Sequence, residues 1–364
     1  MKKTAITALK IAVSLGILVL IFRKVDFNEL WRELRTAHTS YVIASICLYL
    51  AVQALSAYRW YVLLKPIGVD TSYRKILSFY LLGMYFNFFL PTAIGGDAVR
   101  VYYLNKETRK LSRSTASVFL DRDIGMGALL LIATVAAAFA GTTINQVPLA
   151  PIFALITVAF VLINLALFYR PSYDLLHRVL RLFKMKRADE KVENLFESVN
   201  SYRGEWGVLN VAMALSIIIQ LGGIFANVLL GHAIGLETRN GWLDYLVIVP
   251  AVSLISMNPL SVNGTGWREY SYLVLFGSVG LGALADVHNQ AMALAVLWLG
   301  VLIVTSLPGG IIYVLRGSRD KGEIPSEAEP LEAAGQAAPA GMRDADQFAS
   351  LPGHTAEEKP FSTI

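Results

Sequence analysis

Apolar residues along this chain gather into long uninterrupted runs, at roughly 5–22, 41–64, 114–140, 148–169, 207–231 and 289–315. At about 1.5 Å of rise per helical residue, each run can cross a hydrocarbon core about 30 Å thick. The polar–apolar alternation that a membrane barrel strand needs is not visible along them. The pattern predicts an all-α polytopic membrane protein with about six spanning helices. Two further apolar regions, 76–104 and 243–282, are interrupted near their middle. The first interruption reads Pro91-x4-Gly96-x3-Arg100, and the second Pro259-x4-Gly264-x3-Arg268. Each follows a hydrophobic run too short to span comfortably, so the pattern predicts two re-entrant or broken helical hairpins. Interrupted segments at corresponding places in two halves point to an inverted repeat with a substrate site at the breaks. The matching arginines point to an anionic substrate.

Lys and Arg in the connections set the expected orientation. The 170–206 connection carries eight of them and the 141–150 connection none, which places the first inside and the second outside. Lys65, Arg74 and Lys75 mark 65–75 as cytoplasmic, and Arg100, Lys106, Arg109, Lys110 and Arg113 do the same for 100–113. If both lie inside, region 76–104 enters from the cytoplasm and returns. Region 243–282 is flanked by connections poor in Lys and Arg, so it enters and returns from the outside. The scheme puts both termini in the cytoplasm, with Arg316, Arg319 and Lys321 anchoring the C-terminal one. It leaves Arg23, Lys24, Arg32 and Arg35 outside, against the charge rule.

Composition agrees with a membrane setting. The 364 residues are 55% hydrophobic and 16% charged, against about 25% charged in soluble domains. The net charge of +5 conceals a split, because residues 317–364 hold nine acids and four bases, leaving +10 for the rest. Those bases lie mostly in loops, where they report topology and anionic headgroups rather than nucleic acid. Residues 1–316 therefore read as one transmembrane domain and 317–364 as a disordered cytoplasmic tail. Lys2 and Lys3 before an apolar stretch resemble a signal peptide. With no small-x-small cleavage site before Arg23, the segment is expected to stay as the first helix. Asp26-x-x-Glu29 resembles a capping box opening a short helix, with Phe27, Leu30, Trp31 and Leu34 on one face, suited to the membrane interface. Another helix is expected from Tyr173 to Phe183.

Ionisable residues inside or beside the apolar runs narrow the chemistry. They are Arg59, Asp97, Arg100, Asp121, Arg122, Asp123, Arg268 and Glu269. A charge at the bilayer centre costs about 2.5–3.5 kcal/mol on insertion scales, so these groups should face a cavity, pair, or reach an interface. Arg59 sits near a helix end, where snorkelling and a functional role are equally open. For Asp97/Arg100 and Arg268/Glu269 two readings stand. One is an internal salt bridge that holds a broken helix. The other is an anion site in which Arg100 and Arg268 meet a phosphate while Asp97 and Glu269 orient them. Asp121 and Arg122 would form a second polar layer. Gly95, Gly96, Gly264 and Gly266 would shape the turns, with helix starts after Gly96 and Gly266 aiming N–H groups at the same anion. The histidines have no metal-ligand spacing, and no P-loop or nucleophile elbow is present, so neither a cofactor nor a metal is expected.

LSAYRWYVLL, YFNFFLPTAIGGDAVRVYYL, SVFLDRDIGMGALL and NGTGWRE together resemble the flippase-like transmembrane region of lysylphosphatidylglycerol synthases. The likeness spans about residues 5–315. GGD-x-x-R and LDR-x-x-G are fairly specific together, and Gly266-Trp267-Arg268-Glu269 keeps the usual G-x-R-E ending of the second block. Asn258 and Asn263 depart from its usual composition. The resemblance implies movement of an anionic phospholipid, or a polyprenyl-phosphate lipid, between leaflets of a bacterial inner membrane. The 48 residues of 317–364 are too short and polar for the synthases' catalytic domain, so no enzymatic activity is expected. An alternative is an accessory subunit that docks a cytoplasmic lipid-modifying or glycosyl-transfer enzyme through the basic 170–206 loop and the acidic tail. A membrane-embedded enzyme acting on polyprenyl phosphates is the third reading.

Overall fold

The computed structural model describes residues 27–89, 95–144, 146–168, 200, 202–257, 264 and 266–317. The chain is an all-α polytopic membrane protein. A short helix α1 (Phe27–Thr36) leads into the long α2 (Thr39–Leu64). Then come α3 (Tyr73–Phe89), α4 (Gly95–Thr108), the long α5 (Leu111–Ala140) and α6 (Leu149–Phe168). The second half contains the long α7 (Trp206–Ala233), then α8 (Trp242–Ser256), α9 (Trp267–Val279) and the long α10 (Leu284–Gly317). A two-stranded turn, Thr143–Ile144 against Val147–Pro148, joins α5 to α6. Helices α2, α5, α6, α7 and α10 coincide with five of the six apolar runs. The sixth, 5–22, falls outside the described residues, as do Asp26, the Tyr173–Phe183 helix, Asn258, Asn263 and the tail beyond Gly317.

Both interrupted regions fold back on themselves. In the first, Asn87 bonds Gly96, Phe79 stacks on Tyr103 and Lys75 pairs with Glu107. The partner numbers climb on α4 as they fall on α3, the signature of an antiparallel hairpin. In the second, Tyr245 packs on Phe276, and an antiparallel bridge between Thr238 and Gly280 closes the open end. At about 1.5 Å per residue, the 17, 14, 15 and 13 residues of these four helices fall short of a core about 30 Å thick.

The hairpins open toward opposite ends of the bundle. Helices α2 and α7 run antiparallel: the His38 N–H donates to Ala233 O, the Ser45 hydroxyl to Ala226 O, and Arg59 to Ser216. The C-terminus of α2 therefore lies opposite that of α7. The first hairpin follows one of these ends and the second follows the other. Exchanging α2–α5 with α7–α10 also preserves the packing scheme. Helix α3 packs on α10 as α8 packs on α5, and α4 packs on α5 as α9 packs on α10. This is the arrangement of an inverted repeat.

Apolar packing forms two clusters. One gathers Trp60, Leu63, Ile76, Phe79, Leu104 and Leu120, and the other Leu130, Ile224, Val247, Phe276 and Leu294. Leu155, Leu162 and Ile163 of α6, and Ile311 and Val314 of α10, stay exposed, as lipid-facing positions should. The face of α1 that carries Leu30 is buried in the second cluster, while Trp31 points outward beneath the Arg35 guanidinium at 4.9 Å.

Candidate functional site: an arginine-lined cavity inside the bundle

The first hairpin is sutured to the scaffold by charge. Close approach comes first: a Cβ on Gly96 would lie 2.2 Å from the Gly83 carbonyl oxygen, so only glycine lets α3 and α4 meet there. That contact sets the α4 start, from which Asp97 and Arg100 project one turn apart. Arg100 is 4% exposed and lies between two rings, 4.2 Å from Trp60 and 4.6 Å from Tyr80. Its Nη2 donates to Asp121 Oδ2 at 2.8 Å, and its Nη1 to Asp97 Oδ1 at 3.3 Å.

Asp121, 1% exposed, is the centre of a larger chain. Its other oxygen accepts from Arg59 Nε at 2.8 Å. Asp97 in turn accepts two bonds from Arg122, at 2.8 and 3.1 Å. The order is Arg59–Asp121–Arg100–Asp97–Arg122, alternating in sign across α2, α4 and α5. Three guanidinium groups against two carboxylates leave one positive charge. Asp121 lies ten residues into α5, about 15 Å along that helix, and Ser216, which holds Arg59 at 2.7 Å, is as far into α7. Half of a core about 30 Å thick is 15 Å, which sets this chain of charges deep in the bundle.

The second hairpin supplies a smaller, self-contained unit. Gly264 and Gly266 take φ of +75° and +85°, turning the chain into α9. Glu269 Oε2 accepts the Gly266 N–H at 2.7 Å, a capping bond at the first turn. Glu269 Oε1 takes Arg268 Nη2 at 2.7 Å and Nε at 3.1 Å.

Between the halves lies a cavity of about 320 Å³. Its wall includes Arg59, Asp121 and Arg122 from one half and Arg268 from the other, with apolar Val52, Leu129, Ile224 and Val252 around them. Arg122 keeps 50% of its side-chain surface exposed. Each of the three lining arginines has a terminal nitrogen with no protein partner among the described residues: Arg59 Nη2, Arg122 Nη1 and Arg268 Nη1.

Several sequence expectations change here. Arg59 does not snorkel; it is buried, paired with Asp121 and lines the cavity, because Gly125 leaves the room. A Cβ on Gly125 would sit 3.1 Å from an Arg59 nitrogen. Gly125 stands one turn beyond Asp121 on the same face, so the LDR-x-x-G spacing already marked a space kept for a large partner. The expected layers are reversed: Arg122 and Asp121 line the cavity and Arg100 lies behind them. The N–H groups at Gly96 and Gly266 are not aimed at an open site, since Asn87 Oδ1 takes the first at 2.8 Å and Glu269 the second. Asp97, Glu269, Gly95, Gly96, Gly264 and Gly266 support the wall without lining it. Asp123 turns away and accepts from Asn164 of α6 at 3.3 Å.

A family model described as the lysylphosphatidylglycerol synthase TM region matches residues 7–311. The chain belongs to that family. A UPF0104 membrane protein of Methanothermobacter thermautotrophicus is 25% identical over 290 residues, covering 74% of this chain and 83% of the relative. Another UPF0104 membrane protein, from Pyrococcus horikoshii, is 24% identical over 302 residues, covering 76% and 88%. The family match takes in both hairpins and every described lining residue of the cavity, so the arginines on its wall belong to the family's transmembrane region.

Proposed function

We propose that this member of the lysylphosphatidylglycerol synthase TM-region family moves an anionic phospholipid, or another lipid-linked phosphate, between leaflets. The observation that carries this reading is the cavity deep between two opposed hairpins, with arginines from both halves on its wall. A free guanidinium nitrogen in a low-dielectric site binds a phosphate oxygen by a charge-assisted hydrogen bond. The carboxylates behind it keep each arginine aimed. The apolar remainder of the wall suits the glycerol backbone and the first acyl carbons. A pair of hairpins entering from opposite ends offers a route to either leaflet by rocking one half against the other. The chain would sit in a bacterial inner membrane with the 65–75 and 100–113 connections in the cytoplasm.

The test is exchange in liposomes. Purified protein is reconstituted with a fluorescent anionic phospholipid in both leaflets, and the fraction reached by an external quencher is followed. Exchange faster than in protein-free liposomes, and slowed about tenfold in Arg122→Gln and in Arg268→Gln at equal protein content, is the expected result. Wild-type rates in both variants would remove the cavity from the pathway. No exchange over several lipid classes, with and without a proton gradient, would leave the family fold in some other role.

A further inference from the structure

Two polar residues of α7 reach across to the first half of the chain. Ser216 and Gln220 stand four residues apart on that helix, so they share a face. The Ser216 hydroxyl donates to the Ala212 carbonyl of its own helix at 2.7 Å. Its single proton is thereby spent, and its oxygen is left as an acceptor. Arg59 Nη1 of α2 donates to that oxygen at 2.7 Å, in a place where Ser216 is fully buried. One turn further on, Gln220 Nε2 donates to the Gly125 carbonyl of α5 at 2.9 Å. Gly125 is the residue that leaves room for Arg59, so the glutamine braces the stretch of backbone against which the guanidinium lies.

These bonds decide where the last nitrogen of Arg59 goes. A guanidinium is a rigid planar fork, so holding two of its nitrogens sets the direction of the third. Asp121 Oδ1 holds Nε at 2.8 Å, and Ser216 holds Nη1. The third, Nη2, has no protein partner among the described residues, and its side chain lies on the cavity wall. Arg100 shows the contrast: its spare nitrogen, Nε, is sealed in the packing without a partner. Ser216 itself stands behind the wall and does not line the cavity.

We infer, resting on the proposed function above, that Ser216 is a positioning residue for the transported phosphate, acting through Arg59. By fixing the fork it makes Arg59 a further guanidinium donor beside Arg122 and Arg268. The ligand chemistry is a phosphate ester whose oxygens accept these hydrogens in charge-assisted bonds. Arg59 belongs to the first half and Ser216 to the second, so the donor set is complete only while α7 is docked on α2. Without the hydroxyl, Arg59 keeps its Asp121 bond but is free to turn about it, and the loss falls on ligand affinity.

Binding to the full chain in an uncharged detergent tests this. Dioctanoyl phosphatidylglycerol and water-soluble glycerol phosphate are titrated calorimetrically. Ser216→Ala should weaken lipid binding about tenfold, the cost of one misdirected charge-assisted contact. Ser216→Thr, which keeps the hydroxyl, should restore wild-type binding. In an Arg59→Gln background, Ser216→Ala should change affinity by less than about twofold, because the group it acts through is gone. A merely structural serine would cost the same in both backgrounds. Unchanged affinity in Ser216→Ala, an equal loss in the Arg59→Gln background, a loss that Ser216→Thr does not restore, or no lipid binding by the wild type would each overturn the inference. Glycerol phosphate binding as tightly as the lipid, with the same dependence on Ser216, would keep the positioning role, assign the site to a soluble ester and sink translocation. Lipid binding that follows Ser216 without exchange in liposomes would also sink translocation alone. Exchange together with binding indifferent to Ser216 would sink only this inference.

Discussion

Replacing Asp121 with Asn isolates the electrostatic suture that holds the first hairpin to the scaffold. The side chains are nearly the same shape, so packing is preserved and charge is the variable. In the native chain one carboxylate satisfies Arg59 and Arg100 at 2.8 Å each, in a site that is 1% exposed. An asparagine oxygen can serve one guanidinium, while its NH2 faces the other. Removing one member of a buried ion pair costs about 3–5 kcal/mol, because the remaining charge stays buried without compensation. Two contacts soften the loss: Arg100 keeps Asp97 at 3.3 Å, and Arg59 keeps Ser216 at 2.7 Å. The expected destabilisation is therefore about 3 kcal/mol, the low end of that range. Reversible unfolding of purified protein in mixed micelles, followed by tryptophan fluorescence, measures it. Adding Arg59→Gln to Asp121→Asn should restore at least about 1 kcal/mol, because the second change removes the stranded charge. A loss below about 0.5 kcal/mol in the single variant, or strict additivity in the double, would refute the suture.

Other outcomes follow from the same geometry. Gly96→Ala should cost about 1–3 kcal/mol in the same unfolding measurement, since its Cβ would meet the Gly83 carbonyl oxygen at 2.2 Å; native-like stability would show that α3 and α4 are not in contact there. Arg100→Met should lower stability by about 1.5–3 kcal/mol in the same measurement, because Asp121 loses one of its two guanidinium partners while Arg59 stays on its other oxygen and Arg122 stays on Asp97. Arg122→Gln should leave the melting midpoint within a few degrees while slowing lipid exchange about tenfold, because Asp97 keeps Arg100; the reverse pattern would exchange the two arginines' roles. In a Cys47→Ser background, single cysteines replacing Asp70 and Arg239 should react with impermeant maleimide from opposite sides of the membrane. Both sit at exposed positions near the open ends of the two hairpins, and same-side labelling would contradict their opposed entry.

The sequence by itself determined the helices and the folds within the hairpins. Apolar runs above about 20 residues have one stable form in a bilayer, since each backbone group must bond within its own segment. The breaks at Pro91–Gly96 and Pro259–Gly264 were equally legible, because proline and glycine act on the chain locally. So was the alliance of Asp97 with Arg100, and of Arg268 with Glu269, which lie three residues and one residue apart. Tertiary structure alone decided which arginine lines the cavity. Arg100 and Arg122 look alike in a sequence, each beside an aspartate in an apolar setting. Their difference arises where α4 crosses α5: Trp60 and Tyr80, 40 and 20 residues upstream of Arg100, close over it and leave Arg122 open. Arg59 needed the fold most of all, since its partners Asp121 and Ser216 stand 62 and 157 residues away. A buried charge takes its role from the opposite charges and the solvent around it, and helices distant in the chain supply both.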